Sequence, residues 1–180
     1  MDKVRIKDKE FKIYLSREKI ESTIKRMAEE IETDMEEKDP LFLVILNGAF
    51  MFAADLFKEM SMPCEISFTR LASYQGTKTT NQVKELIGMK ENIKGRHIII
   101  LEDIIDTGIT LEHLQNTLIK QEPASIRLAT LLFKPEAFQK DYPIHYVGLP
   151  IHNEFVVGYG LDYDGHGRNF ANIYKVIENE

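Results

Sequence analysis

Short runs made only of apolar residues are the feature of this chain that most limits its fold. Residues 41–48 read LFLVILNG, and residues 96–103 read RHIIILED. Each apolar run is too short and too uniform for a surface helix, which is typical of a strand covered on both faces. Strands of this kind form parallel sheets, because the helices that connect them lie on both sheet faces. The sequence therefore predicts a buried, mostly parallel β-sheet.

Helical patterns separate the predicted strands. Between residues 16 and 38 apolar residues recur at helical spacing, and Ser16 is available as the N-cap. The apolar positions of this helix are Ile20, Ile24, Met27, Ile31 and Met35. Further helices are predicted over 49–60 and 110–122, and further strands over 64–74, 125–134, 144–151 and 155–163. The alternation predicts an α/β fold, an open twisted sheet flanked by helices, with its ligand at the carboxyl ends of the strands.

Composition excludes several classes of protein. The chain has 180 residues, of which 43% are apolar, which suits a single domain over residues 1–180. Its net charge of −6 offers no positive field for a nucleic-acid backbone. No apolar run approaches the roughly 18 residues of a membrane span, and the single cysteine fits a reducing cytosol. We therefore expect a cytoplasmic protein with neither a nucleic-acid nor a membrane partner.

A polar, Thr-rich segment, SYQGTKTTNQVK, occupies residues 73–84. It has too few apolar residues to pack onto a core, so it is either a passive surface loop or a mobile lid. Loops of this length in compact domains are more often functional, which favours the lid.

The stretch IIILEDIIDTGITL, residues 98–111, carries the strongest chemical signal. Gly108 allows close approach of the backbone, the hydroxyls of Thr107 and Thr110 can donate, and the next helix begins with free N–H groups. Together these groups predict an anion cradle, most simply for a phosphate. The pattern is neither a Walker A loop nor a G-x-G-x-x-G fingerprint, so no nucleoside triphosphate or dinucleotide is implied.

Three acids, Glu102, Asp103 and Asp106, stand beside this cradle. Carboxylates aimed at a phosphate would repel it, but they suit the hydroxyls of a sugar that carries the phosphate, alone or with Mg²⁺. Two alternatives stay open from the residues alone. The acids could be ordinary residues favoured by the helix dipole, or one of them could be the nucleophile of a phosphotransferase.

The same stretch resembles the phosphoribosyl pyrophosphate signature of the type I phosphoribosyltransferases, and specifically that of the hypoxanthine-guanine phosphoribosyltransferases. LNGAFMF, residues 46–52, is similar to the family's pyrophosphate loop, and residues 73–84 to its flexible loop. LLFKPEAF (131–138) and EFVVGYGLDYDGHGRNF (154–170) are similar to its purine-binding and C-terminal segments, here residues 150–180. The resemblance covers nearly the whole chain and implies the family's fold, with a small hood region and a lid.

For the ribose and its 5′-phosphate, the resemblance implies separate roles along the signature. Glu102 and Asp103 would hold the ribose hydroxyls, directly or through Mg²⁺. Asp106 would lie near purine N7 and accept a proton as the base attacks C1′ and pyrophosphate leaves. The residues implied for the 5′-phosphate are Asp106, Thr107, Gly108, Ile109 and Thr110.

For pyrophosphate, the resemblance implies Leu46, Asn47, Gly48 and Arg168. The family commonly has a non-proline cis peptide between the first two of these residues. Many relatives have Lys or Arg at the position of Asn47, so the expected contact there is through the backbone. Asp162 would be the protein ligand of a Mg²⁺ that neutralises the departing pyrophosphate. The metal ligands implied are thus Glu102, Asp103 and Asp162.

For the purine, the resemblance implies that Lys134 donates to O6, that the Phe155 ring stacks on the base, and that the Val156 backbone and Asp162 lie at its edge. Ser73 and Tyr74 would close the lid. Without the resemblance, Lys134 is an ordinary strand terminus and Phe155 an ordinary core residue.

The implied function is Mg²⁺-dependent purine salvage, in which phosphoribosyl pyrophosphate and a 6-oxopurine base give IMP or GMP. Family members are commonly homodimers or homotetramers. The alternative from another class is a non-catalytic regulator that senses phosphoribosyl pyrophosphate.

Overall fold

The structure, a computed structural model, describes residues 2–73, 83–87 and 91–177, with only the backbone for 72, 73 and 83–87. It contains these elements: β1 Lys3–Ile6, β2 Lys9–Leu15, α1 Arg17–Met35, β3 Leu41–Leu46, α2 Phe50–Glu59, β4 Glu65–Ser73, β5 Val83–Ile87, β6 His97–Ile105, α3 Ile109–Ile119, β7 Ser125–Phe133, β8 Tyr146–Pro150, β9 Val156–Val157 and β10 Ile173–Val176. The lid predicted over 73–84 falls mostly on residues 74–82, which lie outside the described part, as do Tyr74 and the Ser73 side chain.

The main sheet has the strand order β5-β4-β3-β6-β7-β8. Strands β4, β3, β6, β7 and β8 run parallel, and β5 pairs antiparallel with β4 at one edge. The predicted α/β fold with a mostly parallel sheet is therefore confirmed. All the parallel strands direct their carboxyl ends to one edge, where the segments after residues 46, 105 and 133 meet.

The sheet is covered on both faces, as its apolar strands predict. Leu41, Leu43, Ile98 and Ile100 pack with α3 residues in one core cluster. Residues of α1 and α2 form a second cluster on the opposite face with Phe42, Val44, Ile99 and Leu101 of the same strands. Alternate residues of β3 and β6 thus point to different cores, which explains why these strands carry no polar alternation.

Helix α1 follows its sequence pattern closely. The Ser16 hydroxyl accepts a hydrogen bond from the Lys19 N–H at 3.3 Å, which confirms the N-cap. The five apolar positions predicted for its inner face are all buried. The helix ends at Met35, earlier than residue 38, because Glu37 and Asp39 adopt positive φ values of 62° and 45°.

A second, antiparallel sheet has the order β1-β2-β10-β9 and corresponds to the expected hood. It corrects one prediction, since the strand expected over 155–163 is reduced to Val156–Val157. Gly158, Tyr159 and Gly160 all have positive φ values, 98°, 50° and 96°, which end the extended conformation there. No helix among the described residues is long and apolar enough to cross a membrane.

Candidate functional site

The turn between β6 and α3 has the geometry expected of an anion cradle. Gly108 has a φ of 81° and is the N-cap residue of α3. A Cβ there would lie 2.6 Å from Phe138 Cε2 and 2.7 Å from the Tyr142 hydroxyl, so this position requires glycine. Within the described part of the chain, the backbone N–H groups of Thr107 and Gly108 donate to no protein atom. The N-terminus of α3 therefore presents unpaired donors and the positive end of the helix dipole.

Two adjacent carboxylates lie at the start of this segment. Burial raises the pKa of Glu102 well above its ordinary value of 4.5, and the charge and hydrogen bond of Asp103 raise it further. Burial also raises the pKa of Asp103, although its Oδ1 accepts a hydrogen bond from the Ile104 N–H at 2.9 Å. Asp103 is buried and Glu102 is partly exposed at the cleft, so the pair is suited to bind hydroxyl donors or a cation.

The loop after β3 packs directly against this acid pair. The peptide bond between Leu46 and Asn47 is cis, as the family resemblance implies. A Cβ at Gly48 would overlap the Asp103 carboxylate, so the loop backbone and the acid are in contact at this point. Segments that are far apart in sequence, 46–48 and 102–103, therefore form one continuous wall of the site.

Asp106 and Lys134 come together at the ends of β6 and β7. The Lys134 N–H donates to the Ile105 carbonyl at 2.9 Å, which extends the pairing of the two strands by one residue. Lys134 Nζ lies 3.5 Å from Asp106 Oδ2, at the upper limit of a hydrogen bond. The Lys134 side chain is 13% exposed and that of Asp106 is 52% exposed. A buried cation beside an accessible carboxylate can recognise a ligand with both an acceptor and a donor.

Phe155 lies on the segment that leads from β8 into the second sheet. It is 43% exposed, unusually open for a phenylalanine. Its ring packs edge-to-face on Tyr163 at 5.7 Å and lies 6.2 Å from the buried Phe11 ring. Val156, the next residue, is buried in β9. The arrangement supports the Phe155 ring from behind and leaves part of it free for a ligand.

Asp162 and Arg168 form an ion pair, with Arg168 Nη2 2.6 Å from Asp162 Oδ1. The other Asp162 oxygen accepts from the Gly165 N–H, and Arg168 Nη1 donates to the Gly160 carbonyl, both at 2.6 Å. The Arg168 charge also acts on Asp103 and lowers its pKa, against the larger effect of burial. No group of three or more acidic, His or Cys residues within the described ranges could hold a metal alone, so Asp162 does not join Glu102 and Asp103 in one cluster.

Gly160 is a site residue that the sequence analysis missed. A Cβ at this position would collide with the Gly48 carbonyl, so the hood backbone rests on the loop that follows β3. The neighbouring Tyr159 hydroxyl donates to Asp55 of α2 at 2.5 Å. A signal was present, since glycines at 158 and 160 inside a predicted strand indicate a close backbone approach.

The cradle and Glu102 line a cleft of about 300 Å³. A larger groove of about 670 Å³ lies between α1 and α2, but it does not have the same chemistry. Four of its charged residues form two ion pairs, Arg17 with Glu21 and Lys58 with Asp55. We therefore place the candidate functional site at the smaller cleft, where unpaired N–H donors and Glu102 converge.

Comparison with known proteins agrees with this geometry. The family model described as the phosphoribosyl transferase domain matches residues 11–164. The chain belongs to this family. The chain is 41% identical over 175 residues to a hypoxanthine phosphoribosyltransferase of Haemophilus influenzae, a match covering 93% of this chain and 96% of the relative. It is 37% identical over 168 residues to a hypoxanthine-guanine phosphoribosyltransferase of Mycobacterium tuberculosis, a match covering 89% of this chain and 83% of the relative.

Solved structures show the same relationship. A hypoxanthine-guanine phosphoribosyltransferase of Bacillus anthracis is 36% identical and superimposes with a TM-score of 0.86, covering 97% of this chain and 100% of that one. A hypoxanthine phosphoribosyltransferase of Staphylococcus aureus is 34% identical with a TM-score of 0.87, covering 92% and 91%. The type I phosphoribosyltransferase fold expected from the sequence is therefore confirmed.

Proposed function

We propose that the protein transfers the 5-phosphoribosyl group of phosphoribosyl pyrophosphate to hypoxanthine or guanine, giving IMP or GMP and pyrophosphate. One observation carries this proposal: the turn with free N–H groups at 107–108 adjoins the desolvated acid pair Glu102 and Asp103. A phosphorylated sugar has both chemical features that these groups bind. The printed names of the relatives, hypoxanthine and hypoxanthine-guanine phosphoribosyltransferases, support the choice of base.

The 5′-phosphate binds to the turn formed by residues 106–110. The helix dipole and the N–H groups at its start supply positive potential without a lysine, and Thr107 and Thr110 add hydroxyl donors. Glu102 and Asp103 accept hydrogen bonds from the ribose hydroxyls, which replace the hydrogen bond the two acids share in the unliganded protein. Their negative charge then stabilises the positive charge that develops on the ribose as the bond at C1′ breaks.

The purine binds between Asp106, Lys134 and the Phe155 ring. Lys134 Nζ donates a hydrogen bond to O6, and Asp106 accepts a proton from N7. Adenine has an amino group in place of O6, and this group cannot accept the hydrogen bond from Lys134. The long 3.5 Å separation of Asp106 and Lys134 means that little interaction is lost when a base binds both groups. Phe155 contributes stacking area, and the backbone at Val156, with Asp162, borders the edge of the base.

Pyrophosphate binds along the backbone of Leu46, Asn47 and Gly48, close to Arg168. The Arg168 guanidinium lies near Asp103 and exchanges its present partners, Asp162 and the Gly160 carbonyl, for pyrophosphate oxygens. A planar guanidinium suits this contact because it binds two phosphate oxygens at once.

Mg²⁺ is the proposed cofactor, held through oxygens of the substrate by Glu102 and Asp103 on the ribose side and by Asp162 on the pyrophosphate side. The residues fit this ion, because it is usually bound by one or two carboxylates and substrate phosphates rather than by a protein cage. The raised pKa values of Glu102 and Asp103 show an acid pair with too little compensating charge, which a divalent cation supplies. When bound, the ion neutralises the charge of the departing pyrophosphate.

The organisation of the protein completes the proposal. We infer a single domain over residues 1–180, a lid at 73–84 closed by Ser73 and Tyr74, and a purine-binding segment at 150–180. A homodimer or homotetramer in the cytoplasm fits the family resemblance and the single cysteine.

A turnover assay tests the proposed function. Purified protein is incubated with phosphoribosyl pyrophosphate, Mg²⁺ and, separately, hypoxanthine, guanine, xanthine and adenine, and the nucleotides are separated by chromatography. We expect IMP or GMP and no AMP. The Asp106→Asn variant, prepared identically, should turn over much more slowly, which would exclude a contaminating enzyme as the source of the activity. AMP as the main product would refute the assignment of the base. Binding of phosphoribosyl pyrophosphate without turnover of any base would instead indicate the sensing regulator.

A further inference from the structure

The cradle turn is braced from behind by residues 138–142, which follow β7. The Tyr142 hydroxyl donates to the Gly108 carbonyl at 2.6 Å, in addition to the first hydrogen bond of α3 from the Glu112 N–H at 3.0 Å. The Gln139 N–H donates to the Thr107 carbonyl at 3.3 Å. Two consecutive carbonyl groups of the turn are therefore held by a segment about 30 residues away in sequence.

Holding these carbonyls also orients the donors of the cradle. In a trans peptide the C=O and the following N–H point in opposite directions within one plane. The Thr107 carbonyl shares its plane with the Gly108 N–H, and the Gly108 carbonyl shares its plane with the Ile109 N–H. A brace that binds the carbonyls from outside therefore turns both N–H groups toward the anion and keeps the repelling oxygens away from it.

The brace is built as a packed unit. The Phe138 ring packs edge-to-face on Tyr142 and on Phe133, in each case with centroids 5.4 Å apart. Lys140 Nζ bonds Glu112 Oε2 at 2.7 Å and ties the segment to the first turn of α3. Burial, followed by the charges of Glu112 and Glu102, raises the pKa of Tyr142 to about 12. The hydroxyl therefore keeps its proton and remains a donor at neutral pH.

We propose that Tyr142 is a positioning residue for 5′-phosphate binding, which holds the Gly108 carbonyl so that the Ile109 N–H faces the phosphate. This inference rests on the proposed function, in which the cradle binds the 5′-phosphate of the substrate. Tyr142 acts through the turn rather than on the ligand. Its loss should therefore weaken phosphate binding and leave recognition of the base unchanged.

The test compares Tyr142→Phe with wild type. Removing one neutral hydrogen bond should raise the KM for phosphoribosyl pyrophosphate and the Kd for ribose 5-phosphate, measured by calorimetry, about five- to tenfold. The kcat, and the KM for the base at saturating phosphoribosyl pyrophosphate, should change less than about twofold. The KM for phosphoribosyl pyrophosphate of Tyr142→Phe, divided by that of wild type, should stay constant between pH 6 and 9, because the Tyr142 hydroxyl does not ionise in that range.

Tyr146→Phe is the matched control. Tyr146 is also largely buried, its pKa is also raised to about 12, and its hydroxyl donates to Asp34 at 3.0 Å. It is the first residue of β8, at the amino end of the sheet, away from the cradle. We expect both variants to lose thermal stability, and Tyr146→Phe to lose at least as much, because the Tyr146 hydroxyl also accepts from Arg127 at 3.0 Å and so bonds two charged groups. KM values should be unchanged only in Tyr146→Phe.

The outcomes separate this inference from the proposed function. Two results would overturn the proposed role of Tyr142 and leave the proposed function intact. One is equal affinity of Tyr142→Phe and wild type for ribose 5-phosphate, and the other is an equal increase in KM in both tyrosine variants. Wild type that binds ribose 5-phosphate but forms no nucleotide would refute the proposed function, and the brace would still be judged by the binding ratio. Wild type that does not bind ribose 5-phosphate would overturn the brace directly.

Discussion

Replacing Glu102 by Gln is expected to stabilise the unliganded protein while weakening its binding of phosphoribosyl pyrophosphate. The Glu102 carboxylate is buried beside Asp103, and no interaction with a described residue lowers its pKa. A Gln amide removes the charge and can still donate to Asp103. The variant therefore loses the unfavourable burial of charge, but its amide oxygen is an uncharged and weaker acceptor for the ribose hydroxyl. Stability and function should change in opposite directions.

The expected size follows from the burial of an uncompensated group. Leaving a buried polar group without a suitable partner costs about 1–3 kcal/mol, which the variant should regain. For a chain of this length each kcal/mol corresponds to about 2–4 °C in Tm, so the gain should be about 2–12 °C. Loss of a hydrogen bond to a charged acceptor, at about 1.5–3 kcal/mol, should weaken phosphoribosyl pyrophosphate binding about 10- to 100-fold.

The pH dependence gives the sign of this effect independently. Because the folded-state pKa of Glu102 is raised, the folded protein binds the proton more tightly than the unfolded chain. The wild type therefore loses stability as pH rises above the ordinary value of 4.5, until it passes the raised pKa. The variant has no such loss. The difference in Tm should be small below this range and should grow toward neutral pH.

Scanning calorimetry with EDTA and without ligand, at intervals between pH 4 and 8, measures this difference. Glu32→Gln is a control of opposite sign, since hydrogen bonds from the Met62 N–H and from Ser61 lower the pKa of Glu32. Its contribution to stability is present above its ordinary pKa and is lost as pH falls through the lowered one, so this variant should be less stable than wild type near neutrality. A Glu102→Gln variant that melts at or below wild type at pH 8 would refute the reasoning.

Three further substitutions test the site. Lys134→Gln should raise the KM for hypoxanthine and guanine about 10- to 100-fold with little change for phosphoribosyl pyrophosphate, because a charge-assisted donor to O6 is lost. Steady-state kinetics, with Lys94→Gln as a distant control, measures both KM values, and an equal rise in the two would contradict this prediction. Asp106→Asn should lower single-turnover rates about 10²-fold while calorimetry shows unchanged phosphoribosyl pyrophosphate affinity, and a parallel loss of affinity would reject its role as proton acceptor. Gly48→Ala should reduce phosphoribosyl pyrophosphate affinity and rate, each by about tenfold or more, because its Cβ would displace the Asp103 carboxylate; kinetics equal to wild type would show that the contact does not matter.

Local patterns in the sequence were sufficient to predict the central sheet and the glycine turn at the start of α3. Residues 41–45 and 98–101 are apolar without alternation, and the structure buries them between two layers of helices. Ser16 caps α1 as its position predicts. The turn at 106–110 also appears where the sequence places it, because a glycine between a buried strand and a helix is a local requirement. Each of these features depends mainly on residues that are close together in the sequence.

The second sheet could not be predicted in the same way. Strand β1 has only four residues, and in β2 the charged residues at positions 9, 10 and 12 interrupt the alternation, so neither has a strong signal of its own. Strand β2 is completed by pairing with β10, more than 150 residues later in the chain. Glycines with positive φ likewise cut β9 to two residues because the backbone turns back on itself beside the main sheet. Pairing over such distances depends on the folded path of the chain.

The contacts that assemble the site belong to the same class. The sequence identified acids and glycines suited to a phosphorylated sugar, and Lys134 as a contact to the base only through the family resemblance. It gave no reason for Gly48 to meet Asp103, for Gly160 to press on the Gly48 carbonyl, or for Tyr142 to hold Gly108. These pairs come from separate strand-helix units whose carboxyl ends meet only when the parallel sheet has formed. Composition and spacing specify which groups are available, whereas close packing between distant segments decides which of them touch.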